Sequence, residues 1–274
     1  MNKFFLDLGK QPLANNYSSS YKKNQIKYSL KLFFNTKNKM VSISKRIPSE
    51  KMFTNNYPYR SSMSKTMTNS FHKLSLEIKK RFKPKKILEI GSNDGSFLEN
   101  FNKDRTIGIE PCANVEKITK KLKFNTIPDY WGINLAKKIL NKFDKVDLIY
   151  SANTISHIKN LDEVFKSINL VLSNEGVLII EDPSLLECLK RNTYDQFYNE
   201  HIYVFSYLAL ENILKKYNLE IFKVENLEIH GGSNRYFIKK KNSNRKVEKS
   251  VINQKKKEMK FGLNKKITYI KFSK

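Results

Sequence analysis

The stretch ILEIGSNDGSFL, residues 87–98, constrains the fold more than any other segment of the chain. Ile87, Leu88 and Ile90 read as a buried strand, Gly91 and Gly95 as a tight turn, and the residues beyond as the start of a helix. Glycines let a backbone turn sharply and approach a ligand closely, and a helix start offers unpaired N–H groups. The spacing from Glu89 is E-x-G-x-x-x-G rather than the dinucleotide pattern G-x-G-x-x-G, which argues against pyrophosphate binding. Glu110 closes the next apolar run about 20 residues on, where a carboxylate accepts hydrogen bonds from ribose hydroxyls. The glycines alone fit a structural turn; with Glu110 in place a nucleoside site is the better reading. The expected ligand contacts are Glu89, Gly91, Asn93, Asp94, Gly95, Glu110 and Pro111.

The same pattern recurs along the chain. KKILEIG (85–91), TIGIE (106–110), KFNTI (123–127), VDLIYSAN (146–153) and GVLIIED (176–182) are short apolar runs separated by helical segments. The clearest helix places Leu161, Val164, Phe165 and Ile168 on one face. Strands alternating with helices predict an α/β fold of Rossmann-like kind, a mostly parallel sheet with helices on both faces. Ligands of such sheets bind at the carboxyl ends of the strands, which adds Asn153 of the SAN turn. His157 just beyond reads as a helix-entry or packing residue.

Residues 1–60 read as a small, poorly self-supporting β arm with strands near 28–34 and 40–44. From 61 to 82, Met63, Met67, Phe71, Leu74 and Ile78 recur at helical spacing. The α/β body spans 61–240, and 241–274 reads as a basic helical tail ending in ITYIKF.

Lysine and arginine number 52 against 26 acids, a net charge of +26, but the lysines are spread over the whole chain. This reads as compositional bias and solvated lysine rather than a nucleic-acid surface. The two cysteines, Cys112 and Cys188, lie too far apart for a metal or redox pair, and a reduced, cytoplasmic setting is expected. No apolar run approaches the length of a membrane span.

Several further pieces narrow the reading: LGKQPLANNY near the start, YPYRSSMSKT at 57–66, GIEPCANV, IEDPSLLECL, YNEH at 198–201 and HGGSNRYF at 230–237. Together with LEIGSNDGSFL, the sequence resembles the S-adenosylmethionine-dependent deoxysugar C-methyltransferases, which act on nucleotide-linked keto sugars. The resemblance covers most of residues 6–240 and implies S-adenosylmethionine as cofactor and a nucleotide sugar as substrate. C-methylation beside a ketone needs a base to remove a carbon-bound proton and donors to face the enolate oxygen. The resemblance makes His201 that base, with Glu200 and Tyr198 contacting the sugar or orienting the base. It carries Tyr59 into the active site and places Asn199, His230 and Gly231 near the substrate. Surface-polysaccharide or modified-sugar synthesis is the implied setting. A binding protein without turnover and a nucleic-acid methyltransferase are the rival readings, the latter without a base-binding motif in its support.

The sequence departs from that family in three places. The expected Phe-Cys-x-x-Cys of a zinc module is Phe34-Asn35-Thr36-Lys37-Asn38, so thiolate ligands are replaced by amides and no structural zinc is expected. Asn199 stands where the family more often has histidine. The family also continues into another α/β domain, so a separate C-terminal half is a candidate partner.

Overall fold

The computed structural model describes residues 1–17, 20, 25–44 and 47–274. Its centre is a seven-stranded sheet. In chain order the arm supplies β1 (Asn2–Gln11), β2 (Tyr28–Asn35), β3 (Val41–Ile43) and the short α1 (Ser49–Met52). The body follows with α2 (Lys65–Arg81), β4 (Ile87–Ile90), β5 (Thr106–Ile109), α3 (Ala113–Lys121), β6 (Thr126–Ile127), α4 (Ile133–Phe143) and β7 (Val146–Ala152). Then come α5 (Leu161–Val171), β8 (Leu172–Pro183), α6 (Leu185–Arg191), β9 (Tyr203–Val204), α7 (Tyr207–Leu214), β10 (Leu219–Leu227) and β11 (Ser233–Lys240). The chain closes with α8 (Lys249–Phe261) and α9 (Lys266–Phe272).

The large sheet has the order β10-β11-β8-β7-β4-β5-β6. Strands β4 to β8 pair in parallel, and β11 runs antiparallel to both of its neighbours. The order reverses between β4 and β7, so a crevice opens beyond their carboxyl ends. Both faces of the sheet are covered. Met67, Phe71, Leu74 and Ile78 of α2 pack with Leu148, Tyr150 and Ile179 on one face. Leu161, Val164, Phe165, Ile168 and Val171 of α5 pack with Leu88, Ile149 and Leu178 on the other. Met63 does not join this core: Ser64 caps α2 by accepting from Met67 N, which leaves Met63 in the preceding turn and exposed.

The expected helix after Gly95 is also shorter than its pattern suggested. Residues Leu98–Asn100 form a single 3₁₀ turn, in which the Asn100 amide donates to the carbonyls of Ser96 and Phe97 and the helix goes no further. Of KFNTI, only Thr126–Ile127 pairs as a strand.

A second, four-stranded antiparallel sheet has the order β1-β2-β3-β9. The arm thus recruits β9, directly after the YNEH segment, and Ile43 N donates to Ile202 O at 3.0 Å. The β2–β3 turn is closed by its own amides, since Asn35 Oδ1 accepts from the backbone N–H groups of Lys37 and Asn38. Among the described residues there is no group of three or more His, Cys, Asp or Glu that could hold a metal ion. Helix α9 packs back on the arm, where the buried Tyr269 stacks on Phe34 at 4.2 Å. No helix of the described residues is long and apolar enough to cross a membrane.

Candidate active site

A cavity of about 370 Å³ lies in the crevice beyond β4 and β7, within the size range of small-molecule sites. Its floor is the glycine turn. Gly91 has φ +74°, and a Cβ there would run into the Thr154 side chain. Gly91 N and Ser92 N both donate to Ile109 O at 2.9 Å, tying the turn to β5.

Glu110 is braced by backbone donors. Its Oε2 accepts from Asn93 N at 3.0 Å and its Oε1 from Cys112 N at 2.8 Å. Burial raises its pKa, and those N–H groups oppose the rise. Glu89 differs: its Oε2 is buried without a partner, and burial, then Asp94 and Glu110, push its pKa well up. A buried carboxyl oxygen lacking a donor on the wall of a cavity fits a ligand that supplies one.

Among the described residues, Glu50, Glu89, Glu110 and Asp129 line the cavity against a single lysine, Lys159, in a chain of net charge +26. The wall also carries Phe53, Tyr57, Tyr59, Tyr130 and Trp131. Carboxylates and aromatic faces suit a cationic organic ligand such as a sulfonium, and they disfavour a polyanion.

Of the expected contacts, Glu89, Gly91, Asn93, Glu110, Pro111, Asn153 and Tyr59 line this cavity. Asp94 and Gly95 do not; they shape the turn from behind. Asp94 Oδ2 accepts from Ser62 N at 3.0 Å, and Asn93 Oδ1 accepts from Ser61 N at the same distance, so the turn holds the strap of residues 49–61 over the cavity. Gly95 faces Phe124 and Thr119.

The YNEH segment lies beside the cavity in the loop between α6 and β9. His201 Nδ1 contacts the carbonyl of Gln196 at 2.8 Å, which requires the proton on Nδ1. Its Nε2 therefore presents a lone pair, which accepts from the Tyr198 hydroxyl at 2.9 Å. Burial lowers the His201 pKa to about 4, so the ring is neutral at pH 7. Between His201 and the cavity stands His157, with ring centroids 5.0 Å apart, stacked on Phe53 of the strap. Its Nε2 is buried without a partner, and burial, then His201, hold its pKa well down.

Glu200 does not touch His201. Its carboxylate accepts from Asn15 and from the Tyr57 hydroxyl. Asn199 is buried with both amide atoms unpartnered and is not on the cavity wall. His230, at φ 52°, and Gly231, at φ 73°, form the turn before β11. Asn153 Nδ2 donates to His230 Nε2 at 3.3 Å, which brings that turn to the rim. Sequence reasoning missed Tyr57 and Asn15, although both lie inside the motifs YPYRSS and PLANNY. It also discounted His157, which lines the cavity.

A family model described as a methyltransferase domain matches residues 59–224. The C-methyltransferase NovU of Streptomyces niveus is 29% identical over 149 residues, 54% of this chain and 36% of NovU. The chain thus spans about a third of that relative's length. Among solved structures, the plantazolicin methyltransferase BpumL in complex with SAH superposes with a TM-score of 0.51 at 16% identity, covering 70% of this chain and 90% of that one. A possible histamine N-methyltransferase from Thermotoga maritima reaches a TM-score of 0.43 at 18% identity, covering 61% and 90%. The BpumL likeness is one of fold: a mostly parallel sheet with helices on both faces.

Proposed function

Because the chain belongs to the methyltransferase-domain family, whose methyl donor is S-adenosylmethionine, we propose that it methylates a carbon beside the keto group of a nucleotide-linked deoxysugar. The observation that carries the proposal is His201. Its tautomer is fixed by the Gln196 carbonyl, and its unprotonated Nε2 is aimed at Tyr198 one ring behind the cavity wall. A neutral, oriented imidazole is what removal of a carbon-bound proton requires. The partial likeness to a C-methyltransferase supports the same chemistry.

The cofactor, when bound, supplies an electrophilic methyl group on a positively charged sulfur. Glu110, with both oxygens already oriented by backbone N–H groups, is placed to accept from a ribose diol. The unpartnered Oε2 of Glu89 suits a donor on the amino-acid end of the cofactor. Gly91, with its positive φ and the Thr154 side chain packed against it, fixes the turn on the cavity wall. The proton leaving the substrate carbon goes to His201 Nε2, either through the Tyr198 oxygen or after rotation of that hydroxyl. The resulting enolate carbon would be the nucleophile toward the methyl group that bound S-adenosylmethionine would supply. Positioned general-base catalysis of this kind is worth typically 10² to 10⁴ in rate, roughly 3–5 kcal/mol of barrier. His157, on the cavity wall beside this path, is the candidate donor to the enolate oxygen.

The test is transfer of a ¹³C-labelled methyl group from S-adenosylmethionine to a panel of nucleotide-linked keto deoxysugars, read by NMR. The expected product carries the label on carbon, next to the carbonyl. Tight cofactor binding with no labelled sugar would favour a binding protein without turnover, and label on oxygen, nitrogen or RNA would replace the proposed substrate class.

A further inference from the structure

We propose that Asn15 of the N-terminal arm is a positioning residue for the active site, holding the Glu200 carboxylate against Tyr57. This rests on the methyltransferase reading of the cavity but not on the identity of the acceptor. Asn15 Nδ2 donates to Glu200 Oε1 at 3.0 Å and to Oε2 at 2.8 Å, and the Tyr57 hydroxyl donates to Oε2 at 3.3 Å. Glu200 is 1% exposed. Among the described residues, the charged and titratable groups facing it are Tyr57, Tyr198 and Cys112, and none of these is a cation. A buried carboxylate without a cation depends on neutral donors for its charge and its orientation. Among the described residues, Asn15 supplies the two shorter of these side-chain hydrogen bonds.

The consequence reaches the cavity through Tyr57. Its hydroxyl donates to Glu200 and accepts from Asn15 Nδ2 at 3.4 Å, so one lone pair of the phenol oxygen is left for the cavity side, and its ring packs on Phe53 of the strap at 5.5 Å. The strap is fixed again behind Tyr57, whose carbonyl accepts from Asn114 of α3 at 3.0 Å. The fold makes this arrangement reproducible, because β1 leads directly into the Asn15 loop while β9, on the far edge of the same small sheet, follows Glu200 and His201. The arm therefore carries part of the site, and the pairing of β3 with β9 sets its register against the YNEH loop.

The experiment uses the full chain with [δ-¹³C]glutamate, the Glu200 signal being assigned by its loss in Glu200→Gln, and follows that carboxyl by NMR titration. Loss of Asn15 removes donors to the charged form, so Asn15→Ala is expected to raise the Glu200 midpoint by about one pH unit. The near-isosteric Asn15→Asp, which puts a second carboxyl in place of the donor, should raise it further. Cofactor affinity, measured by calorimetry, identifies variants that have kept the fold. In turnover, Asn15→Ala should lower kcat about tenfold or more while KM for the cofactor stays within threefold. An unchanged Glu200 midpoint in both folded variants would overturn the proposal. If no acceptor is methylated by the unsubstituted protein, the proposed reaction fails while the titration still decides the role of Asn15.

Discussion

His201 concentrates the chemistry in one residue, and its surroundings make two predictions. Its pKa lies below that of an unperturbed histidine because burial disfavours the cation, so the ring stays neutral until pH falls to about 4. A rate that depends on this base is therefore held as pH drops through 6.5 and lost only near pH 4, which a profile of kcat against pH checks. His201→Gln should cost 10² to 10⁴ in methyl transfer while cofactor affinity stays within a few-fold. The same burial has a stability cost with a definite sign. The unfolded chain takes up the proton first, so stability falls between about pH 6.5 and about 4, by on the order of 3 kcal/mol from this residue. His157, also held neutral by burial, acts in the same direction. Gly91→Ala meets both a positive φ and the Thr154 side chain, and should cost roughly 1–3 kcal/mol together with most of the cofactor affinity; thermal melts and calorimetry read the two effects separately. At this scale the sequence showed Glu89, Gly91, Glu110 and Asn153, because each lies at the carboxyl end of a strand whose apolar pattern is local. It could not show that Glu200 turns away from His201. That depends on Asn15, 185 residues earlier in the chain.

At the scale of elements, the parallel strands and α5 were legible because uninterrupted apolar runs and a single helical stripe have few alternative foldings. Strand β1 was not. NKFFLDLGKQ mixes charges into its pattern, and it becomes a strand by pairing with β2 across register shifts. The missing helix after Gly95 is the converse case, in which a glycine turn resembles a helix start but Asn100 closes the turn on itself. The arm, expected to support itself poorly, gains β9 on one edge and α9 on its face. Phe34 is fully buried and stacks on Tyr269. Phe34→Ala should therefore destabilise the fold by about 3–5 kcal/mol, measured by denaturant unfolding. A double-mutant cycle with Tyr269→Ala should return a coupling of about 0.5–1.5 kcal/mol for the ring pair. Because Asn15 and β9 belong to the same arm, partial unfolding of this sheet should reduce turnover before it reduces cofactor binding.

For the whole molecule, the distribution of charge matters more than its sum. Lysines are spread over the whole chain, while the cavity, among the described residues, carries four acidic side chains against one lysine. A protein with that arrangement offers a small organic cation a complementary site, and its basic excess lies elsewhere. The fold organises the rest: the reversal of strand order opens the crevice, the strap of residues 49–61 covers it, and the arm ties the strap to the loop that carries His201. The proposal that this assembly removes a proton from carbon is tested most directly by exchange in deuterated water. With cofactor analogue and a nucleotide-linked keto deoxysugar bound, the protein should wash deuterium into the carbon beside the carbonyl, and His201→Gln should abolish that exchange while still binding the analogue. Exchange that persists in His201→Gln, or methyl transfer to carbon without any exchange-competent base at this position, would contradict the account.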